Sequence, residues 1–107
     1  MNNLVSMIEL ARAHRIRVVL ASVLPSTGYP WQPGLAPAPK ILALNALLRE
    51  YAARNGLVYL DYHAAMVDQA GGLKAGFSED GVHPNQAGYA VMGPLADQSV
   101  EQVLASK

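Results

Sequence analysis

The residues that could do chemistry in this chain gather in one stretch, SEDGVHPNQAGYAVM, at positions 78–92. Asp80 and His83 stand three apart, so a single backbone turn can bring the carboxylate to a ring nitrogen. There it would fix the imidazole tautomer and stabilise the imidazolium. Gly81, between them, lets the backbone fold that turn tightly. Pro84 with its preset φ and Asn85 with its capping side chain suit the start of a helix, which would hold His83 at the rim of a rigid element. The same residues also fit a plainer reading, in which Asp80 and Asn85 only turn and cap while His83 sits exposed on a loop. An Asp-x-x-His spacing alone favours the plainer reading, because such spacings are common by chance.

An acid and a base call for a nucleophile, and the serines offer little. Ser22 falls inside an apolar strand, Ser6 on a helix, and Ser78 too near His83 in sequence to reach its outward nitrogen easily. Ser26 is the best placed, after the C-terminal end of a strand, yet it lacks a strained turn or amide donors behind it. Asp61 and His63, in LDYH, could join His83 in a metal site. Two histidines without a spaced ligand set argue against that, and Asp61 is expected to cap the turn that follows it. Trp31, in the long loop after the first strand, is either a substrate contact or an aromatic folded back over the core. His14 and Asn45 read as structural.

The elements that must position these residues alternate between helix and strand. Leu4, Met7, Ile8 and Ala11 predict an amphipathic helix over 3–14, with Asn2 or Asn3 as its cap. RVVLASVL, 17–24, is apolar on both alternating faces and predicts a strand buried in a parallel sheet. PSTGYPWQPGLAPAP, 25–39, is a loop. A second helix is expected from Lys40 to Arg54, with Ile41, Leu44, Leu48 and Tyr51 along one side and Asn55-Gly56 as its stop. LVYLD, 57–61, is a second strand, followed by a helical turn at 62–68 and a last helix over 86–105. That last helix is expected to pack through Tyr89, Met92, Ala96, Val100 and Val103 and to bend where Pro94 removes a donor.

This is a parallel β/α arrangement in a single domain at most, residues 1–107. It is also incomplete by its own logic. A strand as apolar as 17–24 wants neighbours on both edges, and only one other strand is present, so the chain reads as part of a larger sheet or as one that self-associates through an exposed edge.

Eight basic and eight acidic residues cancel, leaving no electrostatic footprint for nucleic acid or an anionic membrane, and the absence of cysteine removes disulfides and thiolate chemistry. No apolar run approaches the roughly 18 residues of a membrane span, and the N-terminus does not read as a signal peptide. A small molecule is the expected partner. The compartment stays open to cytoplasmic, periplasmic or secreted, and QAGGLKAG lacks the glycine order of a dinucleotide-binding loop.

DGVHPNQAGY ahead of the last helix, preceded by LVYLDYHAAM and RVVLASVLPS, closely resembles the SGNH hydrolases, the GDSL-type esterases and lipases. The resemblance runs along essentially the whole chain. It implies a flavodoxin-like three-layer α/β/α fold, present here as its C-terminal β/α units, and hydrolysis of a carboxylic ester without metal or cofactor. Asp80 and His83 match the family's Asp-x-x-His-Pro motif, so the resemblance implies that His83 takes a proton from a serine and returns it to the leaving alcohol, oriented by Asp80. The family's Gly-Asp-Ser and Gly-x-Asn-Asp blocks, which carry the nucleophile and oxyanion donors, do not occur in this sequence. The expectation is therefore the C-terminal half of such an enzyme, inactive alone, set against a non-catalytic binding or assembly module built on the same fold.

Overall fold

The computed structural model describes residues 1–105. Its elements run α1 (Asn2–Ala13), β1 (Val19–Ala21), α2 (Ala38–Arg54), β2 (Val58–Leu60), α3 (Tyr62–Met66), a single 3-10 turn (Ala75–Phe77) and α4 (Gln86–Ala105). β1 and β2 pair in parallel, with Val19 opposite Val58, Leu20 opposite Tyr59 and Ala21 opposite Leu60. Parallel pairing follows from α2, which carries the chain back to the starting edge before β2 begins. Ile8, Leu20, Leu48 and Ala52 form the buried centre, joined by Leu4, Val18, Leu44, Tyr51, Leu57 and Tyr59, so α1 and α2 cover one sheet face. Val58 and Leu60 alternate away from that cluster, toward α4, which lies against both strands.

The strand expected over 17–24 keeps only three residues, because a ladder is as long as its partner and β2 has three. Past Ala21 the pairing is improvised. Ser22 N–H donates to Leu60 O at 2.9 Å. The Asn45 side chain from α2 then takes both main-chain groups of Val23, accepting its N–H at 2.8 Å and donating to its carbonyl at 3.0 Å. Asn45 is thus satisfied across two elements, and it finishes the strand where no third strand does among the described residues.

The other helices depart from expectation in detail. α1 starts at Asn2, with Met1 in the cap position and no side-chain cap, so neither Asn2 nor Asn3 caps it. Met7 is 65% exposed, because Leu4, Ile8 and Ala11 take the inward face and nothing among the described residues covers the adjoining flank. α2 begins two residues before Lys40, since Pro39 falls in the first turn, where its missing N–H costs nothing. At its far end Gly56 has φ +66°, the left-handed stop expected from Asn-Gly.

α4 spans the expected residues and runs on through Pro94, but its packed side is displaced by one position. Gly88 and Ser99 are its buried residues, with Met92, Ala96 and Val103 partly covered, while Tyr89 and Val100 face outward. Small side chains, not apolar ones, mark the line of closest approach.

The radius of gyration, 14.9 Å, exceeds the roughly 13 Å of a compact domain of this length. Met7, Leu10, Ile16, Val100 and Leu104 all stand in solvent, as an unfinished layer would leave them.

Candidate active site

The site is the end of a loop clamped against the start of α4. Asn85 does the clamping: its Oδ1 accepts the Gly88 N–H at 3.0 Å and caps the helix, while its own N–H donates to Phe77 O at 2.8 Å. Gly88 has no side chain because none fits. A Cβ there would lie 2.7 Å from Phe77 O and 3.0 Å from Pro84 Cβ.

Within the loop, Gly81 adopts φ +79°, as a turn of this tightness requires. Asp80 Oδ1 accepts the main-chain N–H groups of Val82 and His83, both at 2.8 Å, and Oδ2 lies 2.7 Å from His83 Nδ1. One carboxylate thus fixes both the backbone of His83 and its ring. The His83 ring donates to that carboxylate and, with the two N–H groups and the Ser78 hydroxyl, holds Asp80 well below the usual carboxylate range. A neutral imidazole in this arrangement carries its proton on Nδ1. Nε2 is left as an acceptor, makes no hydrogen bond among the described residues, and belongs to a side chain that is 71% exposed.

Ser78 belongs to the same network, a role its sequence position did not suggest. Its Oγ accepts the Gly81 N–H at 2.9 Å and lies 2.7 Å from His83 O and 3.1 Å from Asp80 Oδ1.

Trp31 comes to this site and not back over the core. Its ring centroid lies 6.0 Å from that of His83, tilted by 41°. Tyr29 stacks on it at 5.4 Å and 22°.

The other candidates stay apart from His83. Ser26 is buried, with its hydroxyl donating to Gly28 O at 2.8 Å, and Ser22 is buried, accepting the His63 N–H at 3.0 Å. Asp61 caps α3 by accepting the Ala64 N–H at 3.0 Å and pairs with Arg49 at 2.7 Å. Beside it, burial and the Asp61 charge push the Tyr59 phenol up. His14 bonds Leu10 O at the end of α1. Among the described residues no three histidine, aspartate or glutamate side chains converge as a metal site would need, and no helix is long and apolar enough to cross a membrane.

Residues 1–91 match the sequence profile of the GDSL-like lipase/acylhydrolase family. Among solved structures, a protein assigned as an acylhydrolase from Bacteroides fragilis shares 41% identity, with a TM-score of 0.92 over 96% of this chain and 50% of its own. A GDSL-like lipase from Bacteroides thetaiotaomicron shares 40%, with a TM-score of 0.90 over 94% of this chain and 50% of its own. The esterase domain of a zebrafish retrotransposon ORF1 protein, at 19% identity and a TM-score of 0.76, covers 95% of this chain and 57% of its own, and shows likeness of fold alone. The chain therefore spans about half the length of the solved structures that it matches. No match was found among curated proteins.

Proposed function

The chain belongs to the GDSL-like lipase/acylhydrolase family, and from that premise we propose that it is the C-terminal portion of a serine ester hydrolase, supplying the acid–base pair Asp80–His83. The observation that carries this reading is the 2.7 Å contact between Asp80 Oδ2 and His83 Nδ1, which leaves Nε2 as an exposed acceptor. A serine hydroxyl brought to Nε2 gives up its proton as its oxygen attacks the ester carbonyl. The imidazolium, stabilised by Asp80, then returns that proton to the alkoxide as the carbon–oxygen bond to the alcohol breaks. Water repeats the two steps on the acyl-enzyme, releasing the acid and restoring serine.

No serine among the described residues stands at Nε2, and on this reading the nucleophile and the oxyanion donors belong to the half of the family's domain that this chain does not span. The outer edge of β1, unpaired among the described residues, is where a strand of that complementary half would add. The substrate is a small-molecule ester, with no part for nucleic acid.

The test joins this chain to the complementary half of the Bacteroides fragilis relative and follows release of nitrophenol from p-nitrophenyl acetate. The chimera should hydrolyse the ester, and His83→Ala should lower its rate by about 10²–10⁴-fold. The 107 residues alone should show no hydrolysis that depends on His83. A chimera whose rate is unchanged by His83→Ala, or robust His83-dependent turnover by the chain alone, refutes the proposal.

A further inference from the structure

We infer that the stacked pair Tyr29–Trp31 is a platform for a ring-shaped leaving alcohol, so that the ester cleaved at this site carries a pyranose or aryl ring on its alcohol side. The inference rests on the acid–base reading of His83 in one respect. A histidine that hands the proton back to the leaving oxygen has the alcohol beside it, and what flanks that histidine touches the alcohol rather than the acyl chain. Trp31 is such a flank, with ring centroids 6.0 Å apart.

Three observations give the platform its shape. Trp31 is the only tryptophan of the chain and is 62% exposed, although folding it inward would bury the largest side chain available. Its plane is fixed from within the loop: Tyr29 stacks against it at 5.4 Å, and the Gln32 N–H donates to Tyr29 O at 3.0 Å, closing the turn that carries both rings. Lastly, the groove suited to an alkyl chain meets the platform only at Tyr29 and does not reach His83. A largely apolar cavity of about 330 Å³ is lined by Val23, Tyr29, Leu35, Ile41 and Leu44 among others, and neither Trp31 nor His83 borders it.

A flat, rigid, solvent-facing indole gains most from a partner that covers it face to face. The C–H face of a pyranose and the face of an aromatic ring both do so. A flexible alkyl alcohol touches it at one or two carbons and loses rotamer freedom to stay there.

Because the chain has one indole, its Nε1–H gives a single NMR resonance, and binding can be followed on the full chain without turnover. The probes are methyl β-glucopyranoside, phenol and 1-butanol, with the Trp31 indole and the His83 ring resonances read together. The expected result is saturable shifts of both residues with at least one ring alcohol, 1-butanol binding at least about tenfold more weakly, and loss of the His83 response in Trp31→Ala with partial retention in Trp31→Phe. Whether the glucoside or the phenol responds more strongly tells a sugar ester from an aryl ester. The inference is overturned if 1-butanol shifts both residues as strongly as the rings do, if ring alcohols shift Trp31 but not His83, or if neither moves. None of these readouts requires hydrolysis. Failure here leaves the acid–base proposal standing, and that proposal fails separately, through the activity of the His83→Ala chimera.

Discussion

Substituting Gly88 with alanine places a methyl carbon 2.7 Å from Phe77 O, which is 0.7 Å inside the 3.4 Å at which ordinary contact begins (3.4 − 2.7). Phe77 O is main chain, held by the Asn85 N–H at 2.8 Å, so it cannot swing aside as a side-chain tip would. Overpacking of this kind costs roughly 1–3 kcal/mol. Displacing the carbonyl also endangers the Asn85 hydrogen bond, worth about 0.5–1.5 kcal/mol. Alanine returns about 1 kcal/mol of helix propensity. The net is a loss of roughly 2 kcal/mol, and the loop holding His83 is pushed off the helix that anchors it. Gly93, on the same helix, has nothing within 4 Å of its Cβ position. Gly93→Ala should therefore stabilise, by up to about 1 kcal/mol. Urea unfolding of the two variants beside the parent chain gives opposite signs if Gly88 is the closest approach of α4 to the loop. Equal stabilisation by both substitutions would refute that packing, and with it the claim that α4 positions His83.

Other consequences are measurable on the chain itself. Asn45→Leu keeps the bulk but strips Val23 of both partners, and should cost about 1–3 kcal/mol in urea unfolding; an unchanged midpoint would deny Asn45 its strand-finishing role. Asp80 is held below its ordinary value, so whatever stability its carboxylate adds is complete above the unfolded-state pKa near 3.8 and is lost as pH falls through the lower folded value. The carboxyl resonance of Asp80 should accordingly titrate below the range of ordinary aspartates, and an ordinary midpoint would deny the His83 bond. Ser78→Ala should move that midpoint upward toward the ordinary range while Ser78→Thr preserves it, since Thr keeps the hydroxyl that lies 3.1 Å from Asp80 Oδ1. Identical titrations in all three forms would make Ser78 a bystander.

Much of this is legible in the sequence. The β/α order, the start of α4 and the Asp80–Gly81–His83 turn follow from local rules of periodicity, capping and glycine conformation, and these hold whatever surrounds them. What the sequence hides depends on neighbours. β1 ends at Ala21, although Ser22, Val23 and Leu24 are as suited to a strand, because β2 offers no further partner and Asn45 intervenes. Apolar periodicity puts Tyr89 and Val100 on the inward side of α4, yet close approach selects Gly88 and Ser99, whose smallness leaves no trace in such a pattern. Trp31 can be placed on a loop at the sheet's edge but not beside His83, since that proximity is set by two loops meeting across the fold. Ser78 is a poor nucleophile by its position, and its role in the turn lies in hydrogen bonds to main-chain groups that spacing alone does not display.

The acid–base role of His83 is tested most directly by the rate at which a fluorophosphonate labels the nucleophilic serine in the chimera with the complementary half of the Bacteroides fragilis relative. Phosphonylation needs that serine activated but needs no substrate recognition and no second step. Labelling should proceed in the chimera and slow by about 10²–10⁴-fold in its His83→Ala form, with Asp80→Asn slowing it as well through the wrong imidazole tautomer. Labelling at the same rate with and without the His83 imidazole would contradict the account.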